Sequence, residues 1–178
     1  LFNPDAPLKS IEVLISQVEP AQFTDSDGRT QHIAPATWAN YEASVRAWKQ
    51  RANSNAGNVA IFYFCGHGMG DGINTHLLMQ DAGQSSNLLR DAAQVHALRL
   101  AMGDCAALKQ LYLIDVCRTV DLALVLDPFA PSQSGLPPSN VLRIFKGDNP
   151  VLFSARYGEQ AFGAPEEVSL FTKALLDG

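Results

Sequence analysis

VAIFYFCGHGMGDG, residues 59–72, decides the fold. Its first seven residues, Val59 to Cys65, are apolar and rich in β-branched and aromatic side chains, and they run straight into Gly66, His67 and Gly68. A short apolar run closed by glycines reads as a strand buried on both faces. His67 then sits just past the strand end, between two residues with no side chain to crowd it. A second run, LYLIDV at 111–116, ends the same way at Cys117 and Arg118. In open α/β sheets, sites form in the crevice past the carboxyl ends of the strands. A His and a Cys both lie at such ends.

Working outward, IEVLIS at 11–16 and VLFSA at 151–155 carry the same strand signature, and HLLMQD at 76–81 reads as a short strand leading into a turn. Between them lie helical patterns. Thr37 suits a cap for a helix over 38–51, in which Trp38, Tyr41, Val45 and Trp48 share one face. Residues 88–102 suit a helix stopped by Gly103, and Val168, Phe171 and Leu175 mark a final one. Residues 19–35 read as loop. Residues 119–149 contain Pro128, Pro131, Gly135, Pro137 and Pro138, and read as a long exposed internal linker. Alternating strands and helices predict an α/β domain over residues 1–178, with a mainly parallel sheet flanked by helices in three layers.

The bulk numbers fit one globular domain. The chain has 178 residues, 47% hydrophobic and 17% charged. Thirteen Lys+Arg against 18 Asp+Glu give a net charge of −5, which argues against nucleic-acid binding. No apolar run approaches a membrane span. Cys65, Cys105 and Cys117 are an odd count without framework spacing, so reduced thiols in a cytoplasmic setting are expected.

The strand ends carry the chemistry. A thiolate is the nucleophile that a thiol is not, and a nearby imidazole can take the proton. If their strands are neighbours, His67 and Cys117 form such a pair. When Cys117 attacks an amide carbonyl, the backbone N–H groups of Gly68 and Cys117 are placed to receive the developing oxyanion. Asp115 lies two residues before Cys117, so strand alternation puts both on one side. A carboxylate there predicts selectivity for Lys or Arg beside the cleaved bond.

These residues carry a family likeness. YFCGHG at 63–68, LIDVCR at 113–118, SARYGEQAF at 154–162 and SLFTKALL at 169–176 resemble, in order, the caspase-like cysteine peptidases, and the metacaspase and bacterial branch more than the animal caspases. The interval from His67 to Cys117 is 50 residues, close to the roughly 50 of caspases. The resemblance implies a caspase-like fold with His67 and Cys117 as the catalytic dyad. It implies that Asp115 helps bind a basic side chain and that Ser154 lies at the edge of the substrate groove. No organic cofactor is implied, and calcium activation follows by analogy only. Partners would be protein or peptide substrates, and flanking regulatory or sensor domains in a larger molecule. The family's strand and helix preceding the segment that matches residues 11–16 have no counterpart here. Residues 119–149 correspond to a linker that some relatives cut, which makes Arg143 and Lys146 candidates for self-cleavage.

Rival readings use the same residues. His32, His76 and His96 are alternative bases; His32 falls in a polar loop and His96 in a helical pattern. Cys105, in a turn, reads as packing. Cys65, His67 and Cys117 would make a zinc site, but no CxxC or fourth ligand accompanies them. The acidic turn DSDG at 25–28 holds only part of a calcium loop. An inactive scaffold or binding module of the same fold is the alternative to an enzyme.

Overall fold

The structure, a computed structural model, describes residues 7–24, 28–71, 74–84, 88–120, 133–138, 148–162 and 168–178. In chain order the elements are β1 (Gln22–Thr24), β2 (Thr30–His32), α1 (Trp38–Ala52), β3 (Val59–Gly66), β4 (Gly68–Gly70) and β5 (Thr75–Leu78). A 3-10 turn (Leu88–Asp91), β6 (Ala92–Gln94), α2 (Val95–Ala101), β7 (Lys109–Val116), β8 (Val151–Phe153) and α3 (Leu170–Asp177) follow.

The two apolar runs become neighbours. β3 and β7 pair in parallel along their full lengths, from Val59 opposite Lys109 to Gly66 opposite Val116. β8 adds to the far side of β7, giving the order β3–β7–β8. One face of this sheet is well covered. Ala60, Tyr112 and Ile114 are buried there, with Phe62, Phe64, Val151 and Phe153 packed around them, beneath Tyr41 and Val45 of α1, Leu98 of α2 and Met102 just after it. Aromatic rings tie the layers together: Tyr41 meets Phe62 edge-on at 6.5 Å, Trp48 lies 6.0 Å from Phe62, and Phe62 lies 6.2 Å from Tyr112. On the opposite face Val59, Ile61, Tyr63 and Leu152 stay exposed, and α3 approaches at Tyr63 and Asp115.

Local signals explain α1. The Thr37 hydroxyl accepts from Asn40 N, and the Asp81 carboxylate accepts from Trp38 N at 2.9 Å, so two orphan donors of the first turn are satisfied. At the other end of the helix Lys49 reaches across to α2. Its ammonium donates to the Ala101 carbonyl and to Asp104, both at 2.6 Å, and so caps the end of α2.

Several expectations are corrected. IEVLIS at 11–16 is not a strand; it makes a single bridge, Leu14 to Ala34, and leaves Ile11, Val13 and Ile15 exposed. An apolar alternation needs a partner edge, and among the described residues this one finds none beyond that bridge. Residues 22–32 contain an antiparallel hairpin, β1–β2, rather than loop alone. The stretch 88–102 divides into the 3-10 turn, β6 and a shorter α2, because β6 pairs antiparallel with β5. β3 is covered on one face only, not two. The parallel arrangement holds for β3–β7–β8, while β4–β5–β6 forms a separate antiparallel sheet. Part of the expected exposed linker is docked: Ser134 and Leu136 are buried, and the Ser134 carbonyl accepts from the Tyr41 hydroxyl at 3.0 Å. Arg143 and Lys146 lie outside the described residues, as does most of the DSDG turn. Among the described residues no helix is long and apolar enough to cross a membrane.

Candidate active site

The register of β3 and β7 builds the site. Every pair in it is offset by 50 residues, ending at Gly66 and Val116, since 116 − 66 = 50. Beyond the strands the two chains meet again at a parallel bridge between Gly70 and Val120, where 120 − 70 is also 50. His67 and Cys117 lie between these two registered pairs at the same offset. Adjacent strands run about 4.8 Å apart, and the histidine and the cysteine each follow directly on the paired end of one of these neighbouring strands.

Hydrogen bonds fix both segments. Leu78 N donates to the His67 carbonyl at 3.0 Å, and Gly70 N donates to the Thr119 carbonyl at 2.9 Å. Gly68 is required by space. A Cβ there would lie 2.6 Å from Val116 Cγ2, 2.7 Å from Val116 Cβ and 3.0 Å from the Cys117 carbonyl oxygen. The glycine therefore allows the His-bearing loop to lie directly against the Cys-bearing strand end. His67 is exposed and Cys117 is half-buried, with a free thiol.

Arg118, next to the cysteine, is locked in place. Its guanidinium lies 4.0 Å from the Phe153 ring centre and 5.3 Å from that of Tyr157, and donates to Thr75 Oγ1 at 3.0 Å. Burial pulls this guanidinium below its ordinary value. Arg118 N also donates to the Glu159 carbonyl at 2.9 Å, and Gly158 N returns a bond to the Arg118 carbonyl at 3.0 Å. These bonds hold residues 157–159 against the site. Ser154 reaches the same strand end; its N donates to the Ile114 carbonyl at 3.0 Å, and its hydroxyl lies 3.4 Å from the Val116 carbonyl.

Asp115 is 3% exposed. Its Oδ2 accepts from the Ser169 hydroxyl and, at 3.0 Å, from the Thr172 hydroxyl, both at the start of α3. Cys65, the register partner of Asp115, lies beside it. Partial burial pushes the Cys65 thiol up, and the Asp115 carboxylate pushes it the same way. That environment suits an inert thiol.

The rival residues fall elsewhere. Among the described residues no three His, Cys, Asp or Glu side chains gather as metal ligands, so Cys65, His67 and Cys117 do not form the set a zinc site needs. His32 and His96 are exposed on β2 and α2. His76 is buried opposite Met69, with Nε2 at 2.8 Å from Asp71 Oδ2. Cys105 is buried in the turn after α2. Ser169, Thr172 and Tyr63 are members of the site that sequence reasoning missed. A serine before an apolar helical run does signal a helix cap, but nothing in the order of residues ties it to an aspartate 54 positions earlier.

No protein-family model matches the chain. An uncharacterized protein of Sinorhizobium fredii, y4kE, is 30% identical over 120 residues, which are 65% of this chain and 33% of that protein. The chain thus spans about a third of the length of this relative.

Proposed function

We propose that this domain has the caspase-like fold and is a cysteine endopeptidase that cleaves after Arg or Lys. The observation that carries the reading is the common 50-residue offset on both sides of His67 and Cys117. In the reaction, His67 takes the thiol proton as Cys117 Sγ attacks the scissile carbonyl carbon. Backbone N–H groups of Gly68 and Cys117 receive the oxyanion. His67 then gives its proton to the departing amine, leaving an acyl group on the sulfur. A water molecule, deprotonated by His67, hydrolyses that thioester and restores the thiol. The Asp115 carboxylate attracts the basic side chain beside the cleaved bond, and Ser154 borders the groove. Three free thiols suit a reducing, cytoplasmic compartment. Substrates would be proteins or peptides, and flanking regulatory segments would belong to a larger molecule.

One observation favours a second reading, an inactive scaffold of the same fold: Asp115 is buried and already hydrogen-bonded within the chain. The test separates the two. Reporter peptides ending in Arg or Lys are incubated with the protein and with Cys117→Ala and His67→Ala variants. Turnover by the parent, lost on the order of a thousandfold or more in both variants, is expected for residues that act as one unit. Turnover that survives in Cys117→Ala, or no turnover together with Cys117 alkylation indifferent to His67, removes the peptidase reading.

A further inference from the structure

We propose that α3 is an autoinhibitory strap: the hydroxyls of Ser169 and Thr172 fill the Asp115 carboxylate, and a basic substrate side chain enters only by displacing them. The inference rests on the peptidase reading of the same site. Its starting point is the direction of the hydrogen bonds. Thr172 has one hydroxyl proton, and it goes to Asp115 Oδ2 at 3.0 Å. Tyr63 must therefore donate to Thr172 Oγ1 at 2.7 Å. Ser169 supplies a second donor to the same carboxylate oxygen. A relay from Tyr63 through Thr172 to Asp115, with Ser169 beside it, thus occupies the group that would recognise Lys or Arg.

The occupants are neutral, and α3 is lightly held. The hydroxyls bring no charge of their own, whereas a guanidinium or ammonium adds direct attraction to the carboxylate, and a guanidinium can bond it in bidentate fashion, so exchange favours the substrate. α3 has eight residues and none of them is buried; Leu170, Leu175 and Leu176 are exposed. A helix that short is not stable by itself. Ser169 also caps it, accepting from Thr172 N at 3.0 Å. One side chain therefore both starts the helix and fastens it to Asp115. Releasing Ser169 loosens the helix and uncovers the carboxylate without moving β7.

The experiment compares two probes of Cys117 on the full chain, read by mass spectrometry. Iodoacetamide has no side chain to seat, whereas a peptidyl-arginine acyloxymethyl ketone must place its guanidinium near Asp115. The Ser169→Ala, Thr172→Val double variant is expected to react with the arginyl probe on the order of tenfold faster, the size of one strong hydrogen bond, with its iodoacetamide rate unchanged. Ser169→Thr with Thr172→Ser keeps both donors and should match the parent. Adding Asp115→Asn should abolish the gain. Should the double variant lose its fold by circular dichroism, Thr172→Val alone retains the cap and should give a smaller gain in the same direction. An arginyl-probe rate equal to the parent's, in a folded variant whose Cys117 still reacts with iodoacetamide in a His67-dependent way, overturns the strap and leaves the peptidase reading standing. Reactivity indifferent to His67→Ala removes both.

Discussion

At the scale of single residues, Gly68 ties the sequence motif to the geometry. The glycine after the histidine is expected to free a backbone N–H for catalysis, and its nearest neighbours add a steric reason. An alanine methyl would meet the branched Cβ of Val116, which is 1% exposed and cannot swing away. Gly68→Ala is expected to cost about 1–3 kcal/mol in urea unfolding, the usual range for overpacking. It should also pull His67 away from Cys117 and slow alkylation of that thiol. Because the clash is with one side chain, Val116→Ala should relieve it in part. A coupling of roughly 1 kcal/mol or more between the two substitutions is expected for residues in direct contact. Additive losses would show that the close approach is not the reason for glycine there.

At the scale of elements, what the sequence reveals and what it hides have separable causes. β3, β7 and α1 are legible because each is long, periodic and bounded by its own punctuation: glycines after β3, Thr37 before α1. The parallel pairing of β3 with β7 is legible for the same reason, since apolar strands with equal signatures tend to be neighbours. The β4–β5–β6 sheet is not. Its strands have three or four residues, and Ala92, Ala93 and Gln94 suit a helix until pairing with β5 overrides them. IEVLIS errs in the opposite direction, with strand residues and almost no partner. Residues 133–136 were hidden by proline and serine, which look like linker. What seats them is Gly135, whose φ of +72° suits only glycine and whose absent Cβ would lie 2.7 Å from Tyr41 Cε1. Gly135→Ala is expected to lose roughly 1–3 kcal/mol through combined backbone strain and overpacking. Limited proteolysis should then cut near residue 135 at concentrations that spare the parent. Unchanged resistance and stability would mean the docking of this segment contributes nothing.

At the scale of the whole molecule, stability rests on a core that is covered on one side of the sheet and contains buried phenols. Tyr41 and Tyr112 lie in that core, and burial pushes both hydroxyls well above their ordinary value; Tyr112 raises Tyr41 further. Each keeps its proton through a bond to an internal acceptor, Tyr41 to the Ser134 carbonyl and Tyr112 to Gln110 Oε1 at 2.7 Å. The sign follows from proton counts. Below the unfolded-state pKa, about 10, both states hold the proton and the full contribution is present. As pH rises past it, the unfolded chain ionises while the folded chain stays protonated, so unfolding becomes easier and the contribution is lost on the way up to the folded pKa. Each tyrosine then removes roughly 1.4 kcal/mol by pH 11. Other groups titrate in this range too, so the measurement is a difference. Urea unfolding of the parent and of Tyr112→Phe is compared at pH 9 and pH 11. The variant starts less stable, because Gln110 loses its donor, but it lacks one ionising phenol. The gap between the two proteins should narrow by about 1.4 kcal/mol across that interval. A gap that stays constant would show that Tyr112 ionises as easily in the folded chain as in the unfolded one, and that the face beneath α1 and α2 is open to water.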